Sequence, residues 1–336
     1  MTGQEMINVC VTLDFDEEWL ADVAAVSPEV RVRKHLAASA ADLPAGVLAE
    51  ADVLYTNTAF PTREQAPRLR WVQLDTSGCD HVVGTALWDS PAAITTIGGV
   101  SPKPLAEYVL MMILAHAHHL PEMVDLQRRS YWPDLDHRWN RLMPRMLPGA
   151  TVGIVGYGRI GREIGRLAHA FGMNVIGMRR GGAREGELFG EAPDAAPAEV
   201  VDAGGLYGLL ERSDYVVLTV PYTAETHHLL DAAAFARMKE GAVLVNAARG
   251  GVVDEEALLA ALRSGQVGFA GLDVFAEEPL PAASPFWREE HVLITPHVAG
   301  FAPGYRDQIR ALFTENLRRF AAGLPLLNLV DRKAGY

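Results

Sequence analysis

Short runs of β-branched and aliphatic residues recur along the first hundred positions, separated by Ala-rich and charged stretches of helical period. Segments 7–13, 30–35, 53–57, 71–75 and 94–97 predict strands, and their alternation with helical segments predicts a parallel sheet covered by helices. Segment 104–129 is mostly apolar and opens on a proline that suits a first helical turn, so one long helix is expected there.

A second alternating series opens at Thr151. Strands are expected at 151–155, 174–178, 215–220, 243–246 and 268–272, with a helix at 160–171 after a Gly-rich turn. Residues 181–205 are rich in Gly, Ala, Pro and acids and read as a surface excursion. After His297 the chain is expected to return through a helix at about 305–320 and complete the first domain. The division that follows is α/β, with two doubly wound parallel-sheet domains: 1–101 plus 298–336, and 102–297.

Candidate chemistry sharpens this picture first at Gly156-Tyr157-Gly158-Arg159-Ile160-Gly161, which directly follows a strand and opens a helix. In that context the first glycine permits the tight turn, the second lets the backbone approach a pyrophosphate, and the third lets helix pack on strand. The helix start then offers N–H groups and partial positive charge to the phosphates. The second domain is therefore expected to be a Rossmann domain. An acid that would bind the ribose hydroxyls of NAD is expected about 20 residues on; Arg179 and Arg180 stand there instead. Two guanidiniums suit a 2′-phosphate, so NADP(H) is the expected cofactor, with NAD(H) as the alternative.

Three further segments each follow a strand of the second series and carry Arg249, Glu278 and His297. Loops at the carboxyl ends of parallel strands gather where an open α/β sheet binds ligands. Reduction of a ketone needs a proton donor near its oxygen, and histidine titrates nearest neutrality, which suits His297. A carboxylate such as Glu278 would orient the imidazole and favour its cation. Arg249 could bind a substrate carboxylate and polarise the neighbouring carbonyl. The implied substrate is a small 2-keto or 2-hydroxy acid.

Composition bears on what is excluded. Thirty Lys and Arg against 42 Asp and Glu leave a net charge of −12, which disfavours nucleic acid and anionic membrane as partners. No run of apolar residues is long enough for a membrane span, and the N-terminus lacks the pattern of a signal peptide. Cys10 and Cys79 suggest neither a disulfide framework nor a zinc site, and fit a reducing cytoplasm. His116 and His119 share a face of the expected long helix, but with no Cys or fitting acid beside them no metal is expected.

The segments GYGRIG (156–161), LTVPYTAETHHLL (218–230), NAARGGVVDEEAL (246–258), LDVFAEEPLP (272–281) and TPHVAG (295–300), in this order, resemble the D-isomer-specific 2-hydroxyacid dehydrogenase family. Within it the chain is most similar to the glyoxylate/hydroxypyruvate reductase branch. The resemblance implies that Arg249 binds substrate, Glu278 supports the histidine and His297 is the acid/base. It also implies that Val220, Pro221, Thr226, Ala247, Ala248, Asp273, His297 and Gly300 lie along the cofactor. DTSGCDHV (75–82) resembles the substrate loop, with the Ser77 and Gly78 N–H groups on the carboxylate, in a flavodoxin-like substrate domain. The region of Trp132 and Trp139 resembles an arm that meets a partner subunit, so a homodimer is implied. Rival readings are a nucleotide-sensing regulator on the same fold, a formate dehydrogenase, and a phosphoglycerate dehydrogenase-like enzyme. The intact Arg249, Glu278 and His297 disfavour the first, Glu278 in place of Gln the second, and no domain is expected after Tyr336 as in the longer members of the third.

Overall fold

A computed structural model describes residues 6–180 and 199–336 of the chain. These residues divide into two compact units, one of 6–100 with 303–336 and the other of 101–180 with 199–302. These units differ from the expected division at residue 101 and at residues 298–302. At 298–302 the cause is local: both oxygens of Asp273 accept backbone N–H groups there, from Val298 and Ala299 at 2.9 Å each, and Ala299 is buried in the core of the second unit.

In the first unit, β1 (Ile7–Val11), β2 (Val30–Lys34), β3 (Val53–Thr56), β4 (Trp71–Leu74) and β5 (Ala93–Thr95) form a parallel sheet in the order β2-β1-β3-β4-β5. This is the flavodoxin-like strand order. The central strands VLYT and WVQL are buried at every position, as expected for a sheet covered on both faces. One cover is the C-terminal helix Tyr305–Ala321. Its Ile309, Leu312, Phe313 and Leu317 recur at helical spacing and join the core of this sheet, with the Phe313 ring 4.7 Å from that of Tyr55.

The second unit contains β6 (Thr151–Val155), β7 (Asn174–Met178), β8 (Glu199–Val201), β9 (Tyr215–Leu218), β10 (Ala242–Asn246), β11 (Val267–Leu272) and β12 (Val292–Ile294). All pair in parallel, in the order β12-β11-β10-β9-β6-β7-β8. Numbered within the unit, this is the doubly wound order 3-2-1-4-5-6 with one added strand. Separate apolar cores lie on its two faces, one built with helices Pro102–Ala117 and Arg159–Ala170, the other with helices Leu206–Arg212 and Glu255–Ser264.

Two expectations need correction. The single helix over 104–129 is two, Pro102–Ala117 and Leu120–Arg128, because His119 takes a left-handed φ of 53°. Pro121 has no N–H to give the Ala117 carbonyl, which accepts the Arg145 N–H at 2.9 Å instead, and the His119 ring hydrogen-bonds to the Met143 carbonyl at 2.9 Å. His116 and His119 accordingly do not share a helical face. The expected excursion 181–205 lies outside the described residues over 181–198, and its end forms β8, which pairs Glu199 with Ile176. Glu199 and Arg212 add a two-pronged ion pair at 2.8 Å on the surface of that edge.

Candidate active site

Arg249, Glu278 and His297 leave the carboxyl ends of β10, β11 and β12, three neighbouring strands. Packing of the first two loops is direct: Gly250 is so close to the next loop that an added Cβ would lie 1.8 Å from the Phe275 carbonyl carbon. Only a glycine fits there. Asn246, buried at the end of β10, accepts the Ala248 N–H at 3.0 Å and donates to the Arg249 carbonyl at 3.0 Å, shaping the backbone on which Arg249 stands. Arg249 is half-buried and one guanidinium nitrogen donates to the Ala248 carbonyl at 2.8 Å.

Glu278 uses its two oxygens differently. Oε1 accepts the Phe275 N–H at 2.9 Å, which fixes the carboxylate on its own loop, and Oε2 lies 2.7 Å from His297 Nδ1. A carboxylate only accepts, so Nδ1 carries the proton and donates it to Glu278, leaving Nε2 for a ligand. His297 is exposed and has a left-handed φ of 54°, held by its N–H to the carbonyls of Asp273 at 2.9 Å and Thr295 at 3.1 Å.

The Gly-rich turn is built as expected around its glycines. Gly156 has a φ of 111°, and a Cβ there would lie 2.7 Å from the backbone of Thr219 and Val220. At Gly161 a Cβ would lie 2.4 Å from the Gly156 carbonyl oxygen. Gly158 differs: it is exposed, a Cβ would stand in open space, and it caps helix Arg159–Ala170 with no side-chain hydrogen bond. A cradle of bare backbone at an uncapped helix start fits the pyrophosphate of a dinucleotide. Arg159 stands at its edge, pushed down to about 10 by burial and then by Arg162, so added negative charge is favoured at this point. The residues present therefore fit the nicotinamide cofactor expected from the motif.

Tyr157, expected along that cofactor, turns the other way. Its side chain is buried against Gly177 and Gly165, and its N–H is taken by the Met178 carbonyl at 2.6 Å. The neighbouring loop carries Val220, Pro221 and Thr226, all half-buried, and the Thr226 hydroxyl donates to the Pro221 carbonyl at 2.7 Å. At the end of β7, Arg179 is half-buried, while Arg180 is exposed and ion-paired with Glu225. Ala247 is half-buried and Ala248 buried beside Arg249, and Gly300 is half-buried near Ser101. Asp273 is almost fully buried, with both oxygens bonded to protein groups. Among the residues that sequence reasoning missed, Asn246 and Thr295 stand out; both sit at strand ends inside the quoted motifs, which was the available signal.

In the first unit Ser77 is exposed and Gly78 half-buried, just past β4. The Thr76 hydroxyl donates to the Gly78 carbonyl at 2.7 Å and the Thr76 carbonyl accepts the Ile97 N–H at 3.0 Å. Among the described residues no group of three or more His, Cys, Asp or Glu could hold a metal, and no helix is long and apolar enough to cross a membrane.

Comparison with known proteins agrees with this geometry. Residues 110–299 match the family model described as D-isomer specific 2-hydroxyacid dehydrogenase, NAD binding domain. A glyoxylate reductase of Aeropyrum pernix is 35% identical over 84% of this chain and 84% of its own length. An (S)-sulfolactate dehydrogenase of Chromohalobacter salexigens is 38% identical over 75% of this chain and 78% of its own. Among solved structures, an NADPH-dependent glyoxylate/hydroxypyruvate reductase of Sinorhizobium meliloti, in complex with NADP and sulfate, is similar with a TM-score of 0.79 at 30% identity, covering 98% of this chain and 100% of that one. The extent of these matches and the motifs that carry them identify the chain as an NAD(P)-dependent oxidoreductase of the D-isomer specific 2-hydroxyacid dehydrogenase family.

Proposed function

We propose that this enzyme is an NADPH-preferring reductase of small 2-keto acids of the glyoxylate and hydroxypyruvate kind, with NADH as the weaker donor. The observation that carries the reading is the 2.7 Å pair of His297 and Glu278, which follow β12 and β11, the two strands on one side of β10, which leads to Arg249. Similarity to reductases of glyoxylate and hydroxypyruvate supports the substrate class, and Arg179 with Arg180 at the end of β7 supports the 2′-phosphate.

The cofactor would be held by the N–H groups at Gly158–Gly161, by Arg179 and Arg180, and by the loops of Val220, Pro221, Thr226, Ala247–Ala248 and Gly300. When bound it supplies the hydride that the C2 carbon receives. The guanidinium of Arg249 holds the substrate carboxylate and draws electron density from the adjacent carbonyl, which lowers the cost of placing negative charge on its oxygen. His297 donates its Nε2 proton to that oxygen as the alkoxide forms. Glu278 holds the ring in one orientation for the transfer. Exposure of the ring lets solvent return the proton. For the first unit we assign substrate binding, through the backbone N–H groups of Ser77 and Gly78.

The compartment we assign is the cytoplasm, supported by Cys10 and Cys79, which are both buried and not joined in a disulfide. The assembly we assign is a homodimer, supported by an arm on which Tyr131, Trp132, Leu135, Trp139, Met143 and Met146 are exposed, Trp132 by 82%. The test is nicotinamide oxidation with glyoxylate, hydroxypyruvate, pyruvate and phenylpyruvate under NADPH and NADH, for wild type, His297→Ala and Arg249→Lys. Turnover faster with NADPH, lowered on the order of 10²–10⁴-fold in the first variant and shifted to a KM roughly 10-fold or more higher in the second supports the reading. Tight cofactor binding without turnover of any acid would replace it with a nucleotide-binding regulator.

A further inference from the structure

The turn that carries His297 is tied to a helix outside all of the sequence motifs. Register between β11 and β12 pairs Leu272 with Ile294, so Asp273 and Thr295 come next, side by side at the strand ends. The Thr295 hydroxyl is 2.6 Å from Asp273 Oδ1 and 2.7 Å from the hydroxyl of Tyr108, in helix Pro102–Ala117. Asp273 also receives the Val298 and Ala299 N–H groups, the two residues after His297.

Counting protons gives this chain one direction. Asp273 receives three donors and offers none, the pattern of a carboxylate, so the single proton of Thr295 goes to Asp273. Tyr108 must then donate to Thr295. Burial above all keeps the Tyr108 phenol protonated above its usual range, against the smaller opposing effect of the Thr295 hydrogen bond and with the Asp273 charge adding to it, so the donor is present at neutral pH. A buried carboxylate whose every partner is in place orients rigidly, and one left short of a donor reorients or admits water. Here the groups that would move with it are the two N–H groups that anchor the His297 turn, whose left-handed φ is a conformation that persists only when its surroundings over-determine it.

We propose that Tyr108 and Thr295 are positioning residues for His297, acting through the Asp273 carboxylate. The inference rests on the function proposed above for His297. Neither hydroxyl contacts the imidazole in the described hydrogen bonds; their effect is to hold its backbone where Nδ1 meets Glu278.

The test is a double-mutant cycle on the full-length enzyme, reducing glyoxylate with NADPH. Tyr108→Phe, Thr295→Val and Thr295→Ser are made in the wild-type and His297→Ala backgrounds, with NADPH affinity read separately by fluorescence titration. In the wild-type background Tyr108→Phe and Thr295→Val are expected to lower kcat roughly 10- to 100-fold, as for a displaced catalytic group, with NADPH affinity unchanged and Thr295→Ser restoring most of the loss. In the His297→Ala background the same changes are expected to cost nothing more, because the group they position is gone. Faster hydrogen exchange of the Val298 and Ala299 amides in cofactor-free Thr295→Val is the accompanying structural readout. Equal losses in both backgrounds, or no loss in the wild-type background while His297→Ala is inactive, would overturn the positioning role alone. A fully active His297→Ala enzyme would overturn the proposed function and this inference with it.

Discussion

His297 and Glu278 meet at 2.7 Å from adjacent strands, yet their side chains remain 49% and 35% exposed. A pair so open to water adds little to stability, since exposed ion pairs contribute about 0–1 kcal/mol. Its worth lies in fixing which nitrogen of the imidazole faces outward. Glu278→Gln is therefore expected to keep the fold and the melting temperature within a few degrees while lowering kcat on the order of 10²-fold, and His297→Ala to lower it on the order of 10²–10⁴-fold. Steady-state kinetics alongside thermal melts check this. Loss of both activity and melting temperature in Glu278→Gln would instead assign the pair a structural role.

Cofactor choice should respond to Glu225. This carboxylate is ion-paired with Arg180, where it competes with a 2′-phosphate for the same guanidinium. Glu225→Gln is expected to tighten NADPH about 2- to 5-fold with little change for NADH, the range set by an exposed pair. Arg180→Ala should weaken NADPH and leave NADH unaffected. Fluorescence titration of both nucleotides decides it, and parallel changes for the two would show that Arg180 does not read the 2′-phosphate.

Gly250 locks the Arg249 loop against the Glu278 loop, with a Cβ position 1.8 Å from the Phe275 carbonyl carbon. Gly250→Ala must push the loops apart, at a cost of about 1–3 kcal/mol or more. The expected result is a lower melting temperature together with a raised KM for the keto acid, because Arg249 moves with its loop. An alanine variant with an unchanged KM would mean that the loops adjust independently.

Acid stability should depend on His116. Burial, followed by the positive neighbours Arg145, His119 and His291, lowers it from 6.5 to about 4. The folded state thus resists a proton that the unfolded chain accepts. The stability this group contributes is complete above pH about 6.5 and is lost as pH falls from there toward about 4. Melting temperature should accordingly decline less steeply between those limits in His116→Leu than in wild type. Identical slopes would show that carboxylates alone govern the acid limb.

Much of the molecule follows from local rules. The strand cores at 151–155 and 174–178 coincide with the observed β6 and β7, because a short apolar run bounded by turn residues is a signal contained within a few residues. The same holds for Gly156, Gly158 and Gly161, and for Arg249, Glu278 and His297, each placed by the end of a strand. Where local rules compete, tertiary contacts decided. Apolar period favoured one helix through His119, but Pro121 and the bond to Met143 broke it. Tyr157 stands in the phosphate motif, yet the missing side chains of Gly165 and Gly177 opened an inner slot that its ring fills.

By itself, then, the order of residues determined two parallel α/β sheets, the Gly-rich turn between strand and helix, and the places of Arg249, Glu278 and His297 past strand ends, all set by short-range spacing. Only the folded chain decided their partners. Tyr108 reaches Thr295 across 187 positions, Glu225 reaches Arg180 across 45, and Asp273 closes on Val298 and Ala299. Such pairs depend on how helices and loops pack on the sheet, and a side chain carries no mark in sequence of the distant donor it will meet.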